Sequence, residues 1–146
     1  LDVLAEQRRY LGVEIAYAAV GGAQASGIYR MNARQAGGTR LWIPGERFKI
    51  PFAWLPGGAG LLYQETDASG GFSLWTIDLG AHGPARRLSP ERVRETNPAL
   101  SPDGQWVAFG SDATRHFEVY VRRLDDSTGA SALRVSVDGG NYPGTF

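Results

Sequence analysis

The sequence predicts an all-β chain, a partial β-propeller of about three four-stranded antiparallel blades with a period of 46 residues. Three observations lead there. Short apolar runs recur at a fixed spacing, reverse-turn residues stand at a fixed place before them, and the runs are apolar on both faces.

Ile15-Ala16-Tyr17, Leu61-Leu62-Tyr63 and Val107-Ala108-Phe109 begin at 15, 61 and 107, a constant step of 46 residues. A second set follows at a nearly constant gap: Ile28-Tyr29-Arg30-Met31, Leu74-Trp75-Thr76-Ile77 and Val119-Tyr120-Val121-Arg122. Arg40-Leu41, Arg87-Leu88 and Arg134-Val135 form a third set, and Ser89 and Ser136 follow the last two. A fourth kind of segment precedes each period, at Pro51 to Trp54 and Asn97 to Leu100, and Tyr142 to Phe146 begins another. Four strand-like segments per repeat is the pattern of a propeller blade. The blades are expected at residues 5–50, 51–96 and 97–142, with a further one starting at 143–146. Residues Leu1 to Arg8 read as the tail of a previous blade or a short helix.

Strand chemistry agrees. Successive residues of a strand alternate between faces, so Trp106 and Ala108 share one face and Val107 and Phe109 the other. Both sets are apolar, and a strand apolar on both faces must be covered on both. Blades stacked around an axis meet that demand. The turns agree as well. In Ser101-Pro102-Asp103-Gly104 the proline fixes φ, the aspartate bonds back to the backbone, and the glycine accepts positive φ. Leu55-Pro56-Gly57-Gly58 is a degenerate copy, and Arg9-Tyr10-Leu11-Gly12 keeps only the glycine.

Composition narrows the function. Fifteen basic residues balance fifteen acidic ones, without the basic excess expected of a nucleic-acid binder. The pairs Arg8-Arg9, Arg86-Arg87 and Arg122-Arg123 read as solvated strand ends. No cysteine is present, so there is no thiolate chemistry. No apolar run approaches the ~20 residues of a membrane-spanning helix. His82 and His116 lack companions at ligand spacing, and Asp67-Ala68-Ser69-Gly70-Gly71 offers too few oxygens for calcium, so no metal site is expected. Asp67, Asp103 and Asp112 read as turn residues. There is no G-x-S-x-G elbow. Gly57-Gly58-Ala59-Gly60 lacks the Lys-Ser/Thr ending of a phosphate loop. The chain is therefore expected to be non-catalytic, with no cofactor.

Residues Asn97 to Phe109, then Ser111-Asp112 and Glu118-Val119-Tyr120-Val121-Arg122, resemble a TolB-type, WD-like propeller repeat. The match is close over 92–146, looser over 51–91 and weak before that. It is similar to the propellers of bacterial serine/threonine kinases, periplasmic TolB proteins, transcriptional regulators and prolyl-oligopeptidase-like peptidases. The resemblance implies that one rim of the disc collects two sets of loops. One set is Gly21–Gly27, Asp67–Gly71 and Asp112–His116; the other is Pro44–Lys49, Pro90–Thr96 and Ser136–Asn141. Arg47, Lys49, Arg92, Arg94, Arg115, His116 and Tyr142 are the expected contact residues there, since arginine and tyrosine are favoured interface anchors.

The function expected is a protein- or ligand-binding module, the scaffold or sensor part of a larger bacterial protein. The alternative is the gating propeller of a prolyl-oligopeptidase-like serine peptidase, with its catalytic domain outside this chain. A protein or peptide partner is expected. The remaining blades would come from the parent chain or a second copy, since propellers close with about four to eight blades. The resemblance favours a periplasmic or extracytoplasmic location.

Overall fold

The computed structural model describes residues 14–34, 38–80, 84–126, 128 and 130–146. The predicted turn at Arg9 to Gly12, the segment Leu1 to Arg8 and His82 lie outside them. The chain forms two compact units, Leu1–Pro51 and Phe52–Phe146. The regular structure of the described residues is almost wholly β, arranged in three antiparallel sheets.

The first sheet has strands β1 (Glu14–Ala19), β2 (Gly27–Asn32) and β3 (Arg40–Pro44) in that order. Gly27 is demanded by close packing: an added Cβ would sit 2.3 Å from the Ile43 carbonyl oxygen, at a φ of +151°. Tyr17 and Tyr29 are directly opposed in the register and stack with centroids 5.5 Å apart. Such cross-strand aromatic pairs stabilise a sheet beyond their area alone.

The second sheet runs β4 (Lys49–Trp54), β5 (Gly60–Thr66), β6 (Phe72–Asp78) and β7 (Arg86–Arg87). The third runs β8 (Glu95–Leu100), β9 (Trp106–Ser111), β10 (Glu118–Arg123) and β11 (Leu133–Arg134). Each is a simple meander, and the expected apolar runs Leu61–Tyr63 and Val107–Phe109 fall on β5 and β9. Leu61, Leu62 and Tyr63 are at most 1% exposed, as a run apolar on both faces requires. The edge strands β4 and β8 contain Pro51 and Pro98. Proline donates no ladder hydrogen bond, so these edges are blunted against pairing with another strand.

Within residues 52–146 the second and third sheets share one core. Leu62, Leu74 and Leu88 pack with Val107, Phe109 and Tyr120, and Leu55 joins them. Burying each such side chain contributes about 1.5–3 kcal/mol. A β-bulge between Thr96 and Ala99 is tied to the neighbouring sheet. There Gln64 Oε1 accepts the Asn97 N–H at 2.9 Å and the Thr96 hydroxyl at 3.1 Å, and Asn97 takes a φ of +53°.

The predicted turn forms as its residues dictate. The Gly104 N–H donates to the Ser101 carbonyl at 2.8 Å, and the Gln105 N–H to Asp103 Oδ1 at 3.0 Å. The Ser101 hydroxyl donates to Asp103 Oδ1 and accepts the Trp106 N–H at 2.9 Å.

Candidate functional site: a loop rim on residues 52–146

Three loops meet at one end of the second and third sheets. The loop after β5 is closed by Asp67, whose Oδ1 accepts the Ser69 N–H and hydroxyl at 2.8 and 2.7 Å and the Gly71 N–H at 2.9 Å. The Ser69 hydroxyl first, and then these backbone donors, hold the Asp67 carboxyl below the usual carboxylate range. Asp67 is thus the turn residue the sequence suggests.

Asp112 differs. Its Oδ1 accepts the Arg94 N–H at 2.9 Å, and its own N–H donates to the Arg94 carbonyl at 3.3 Å. Instead of closing its own loop as an Asx turn, the carboxylate ties the β9–β10 loop to the segment that precedes β8. Its spacing copies that of Asp67, but the donor within reach comes from another loop. The Arg94 guanidinium reaches back, with Nε 3.7 Å from Asp112 Oδ2. Gly71 completes the junction, because a Cβ there would lie 2.9 Å from Asp67 Oδ2 and 3.0 Å from Arg94 Cγ.

Beneath this junction is a buried clamp. Arg122 Nη1 and Nη2 donate to Glu95 Oε1 and Oε2 at 2.9 and 2.7 Å. The Ser89 hydroxyl donates to Glu95 Oε2 at 2.8 Å and accepts the Leu74 N–H at 2.7 Å. Arg122 also lies 4.5 Å over the Phe109 ring. Arg122 is 0% exposed and Glu95 2%. The reading of Arg122 as a solvated strand end is therefore corrected: it shares the core-facing side of β10 with Tyr120, two residues before. Glu95 follows Arg94 directly, so the clamp fixes the base of the rim loop. Next to it, Ser136 Oγ accepts the Val119 N–H at 2.7 Å and donates to Glu118, whose Oε1 accepts the Gly139 N–H at 3.1 Å. The Ser136 hydroxyl is the main cause that holds the Glu118 carboxyl below its usual range.

The clamp and the ties leave cations standing on the rim. Arg92, Arg94, Arg115 and His116 are all exposed. Arg92 and Arg115 hold φ at +66° and +72°, a conformation that costs a non-glycine residue about 1–2 kcal/mol. Gly70, at φ +80°, occupies the matching place in the loop after β5: the Gly70 N–H donates to the Asp67 carbonyl as the Arg115 N–H does to the Asp112 carbonyl. The side chains of Arg92 and Arg115 make no ion pair or hydrogen bond among the described residues.

Of the other expected contact residues, Arg47 and Lys49 belong to the first unit and Tyr142 to the second. Arg47 is exposed and Lys49 only 5% exposed, its ammonium donating to the Arg47 carbonyl at 3.2 Å. Lys49 was expected to present its charge at the surface; instead the close-packed start of β4 turns it inward to a carbonyl. Tyr142 is 68% exposed and borders a separate cavity of about 360 Å³ with Phe52, Pro98 and Leu100. Among the described residues, no group of three or more His, Cys, Asp or Glu side chains could hold a metal ion. No helix among them is long and apolar enough to cross a membrane.

No protein-family profile and no curated protein sequence matches the chain. Several solved structures are similar to it, among them the following three. A TolB from Agrobacterium tumefaciens is 25% identical at a TM-score of 0.69, over 87% of this chain and 43% of that one. TolB from Acinetobacter baumannii is 18% identical at 0.67, over 90% and 32%. A puromycin-hydrolyzing peptidase from Mycobacterium tuberculosis is 18% identical at 0.58, over 85% and 21%. The chain thus spans less than half the length of each. Its antiparallel sheets and these likenesses give one conclusion: the fold of this chain is that of the TolB-like β-propeller family.

Proposed function

We propose that the three sheets are consecutive blades, at 5–50, 51–96 and 97–142, of a non-catalytic module that binds a protein partner through the rim of residues 52–146. The partner segment we infer is acidic. One observation carries this reading: Arg115 keeps a free guanidinium at a left-handed backbone position where the matching loop uses Gly70. Backbone strain kept at an exposed, uncommitted side chain is a recurrent mark of a functional position. Arg92 repeats the pattern and Arg94, held by Asp112, adds a third guanidinium suited to carboxylate recognition.

The test is selection of peptides on the immobilised protein, with counter-selection on an Arg92→Ser/Arg115→Gly double variant. Enrichment of Asp- and Glu-containing peptides that release at higher salt supports the reading. Peptides without acidic residues, or peptides bound equally by the variant, would sink it.

A second reading rests on the likeness to the peptidase: a module of this fold that restricts access to a catalytic domain. A G-x-S-x-G segment encoded downstream of this chain would favour that reading, and a kinase or winged-helix domain encoded upstream would favour the signalling one.

A further inference from the structure

The layer between the second and third sheets is sealed at one end and open at the other. At the sealed end Glu95, Arg122 and Ser89 share their hydrogen bonds out of reach of solvent. At the other end lies a cavity of about 520 Å³, bordered by Thr76, Asp78 and Arg86 on one side and Gln105, Arg123 and Asp125 on the other. Sites for small molecules commonly span about 300–1,000 Å³.

Its polar groups are unevenly committed. Arg123 and Asp125 neutralise each other at 3.0 Å. Arg86 spends one donor on the Leu124 carbonyl, at 2.9 Å, and keeps the rest of its fork. Asp78 pairs with no cation among the described residues. Thr76 is only 5% exposed, yet its hydroxyl makes no hydrogen bond among the described residues. The oxygen is not sealed from solvent, so it is open to a ligand in the cavity. Thr76 and Arg86 are directly opposed across β6 and β7, and Asp78 follows Thr76 by two residues. All three side chains therefore leave the same face of the sheet, toward the cavity.

What remains uncommitted is one carboxylate, most of one guanidinium and one hydroxyl on the same face. We propose that this cavity binds a small zwitterion of the amino-acid or dipeptide class. Asp78 takes its ammonium group, Arg86 its carboxylate, and the Thr76 hydroxyl donates to it or accepts from it. A ligand with a single charge would leave either Asp78 or Arg86 unmatched.

The experiment is a titration of nitrogen-15-labelled protein with alanine and with alanyl-alanine, followed by amide chemical shifts. N-acetylalanine and alaninamide, each lacking one of the two charges, are run beside them. Saturable shifts at Thr76, Asp78 and Arg86 are expected with at least one zwitterion, and the tighter of the two reports the size the cavity accepts. Each singly charged analogue should bind about tenfold more weakly, the loss of one charge-assisted hydrogen bond. Asp78→Asn should weaken the zwitterion by a similar factor and leave N-acetylalanine unchanged. That variant removes no hydrogen bond or ion pair among the described residues, so its melting temperature should match the parent, and that match keeps a null result from being blamed on unfolding. No saturable shift with either zwitterion, equal binding of N-acetylalanine, or an unaffected Asp78→Asn variant would each overturn the proposal.

Discussion

Arg122 and Glu95 lie 27 residues apart in the chain and meet in a two-pronged ion pair, 2.9 and 2.7 Å, that joins β10 to the first residue of β8. The pair is almost fully desolvated, so its energetic sign depends on what is removed. Taking away one partner leaves a buried charge uncompensated and costs about 3–5 kcal/mol. Taking away both in favour of apolar groups costs far less, because both desolvation penalties disappear. We expect Glu95→Leu and Arg122→Met each to destabilise by that amount, and the double variant to lose less than the sum. Urea unfolding of the four proteins in the cycle measures the coupling; additive losses would show that the pair does not act as a clamp.

Arg115 makes the opposite test, in which a substitution should strengthen the fold. Its φ of +72° is natural for glycine and unfavourable for arginine. Its side chain makes no hydrogen bond or ion pair among the described residues. Arg115→Gly should therefore raise stability by up to about 1 kcal/mol, while weakening the acidic-partner binding proposed for the rim. Thermal melting and peptide affinity on the same two proteins separate these effects. A variant that is less stable would mean that Arg115 serves the fold and not a partner.

Asp112 is a tie between loops, and its loss should be felt locally. Asp112→Ala removes the acceptor of the Arg94 N–H and leaves that donor to water. About 1 kcal/mol of stability should be lost, a typical net worth of one hydrogen bond. Hydrogen exchange should speed up at Arg94 and its loop neighbours while the core amides of β9 stay protected. Uniform acceleration across the sheet would mean that the tie supports the whole fold.

The comparison of sequence with structure turns on how far apart partners lie in the chain. The strands were legible because Leu61–Tyr63 and Val107–Phe109 carry their burial in consecutive residues. The Ser101–Gly104 turn was legible because its hydrogen bonds close within five residues. Asp112 was half legible: its loop was placed, but its acceptor role belongs to Arg94, 18 residues away. The clamp was not read, although one signal pointed to it: Arg122 stands two residues after Tyr120, on the core-facing side of a strand. Which carboxylate would meet it depends on sheet packing, and no local pattern carries that. The cavity at Thr76 and Arg86 was hidden for the same reason, since its two walls come from different sheets.

Asp67, Asp103, Glu118 and Asp126 are held below the usual carboxylate range, each chiefly by a hydroxyl that donates to it, and Asp125 chiefly by Arg123. At Asp126 the Ser131 hydroxyl is the largest cause, followed by that of Thr128. A depressed folded-state value means that each contributes stability above its unfolded value, near ~4, and loses it as the pH falls through the folded one. The melting temperature should stay level between neutrality and about pH 5, then fall on further acidification. Asp126→Asn should lower it at neutral pH and flatten the acid limb. An unchanged acid limb would show that the loop bonds of Asp126 are not formed in solution.

Gly104 and Gly57 both adopt positive φ, +69° and +66°, yet their surroundings differ. A Cβ on Gly57 would meet nothing within 4 Å, whereas one on Gly104 would fall 1.9 Å from Pro56 Cγ, inside the preceding turn. Gly57→Ala then carries only the conformational cost, about 1 kcal/mol. Gly104→Ala carries that cost and must also displace a ring with little freedom to move, adding about 1–3 kcal/mol of overpacking. Denaturant midpoints of the two variants give the difference directly. A larger loss at Gly104 supports direct seating of the Ser101–Gly104 turn on Pro56; equal losses would mean that the two turns stand apart in solution.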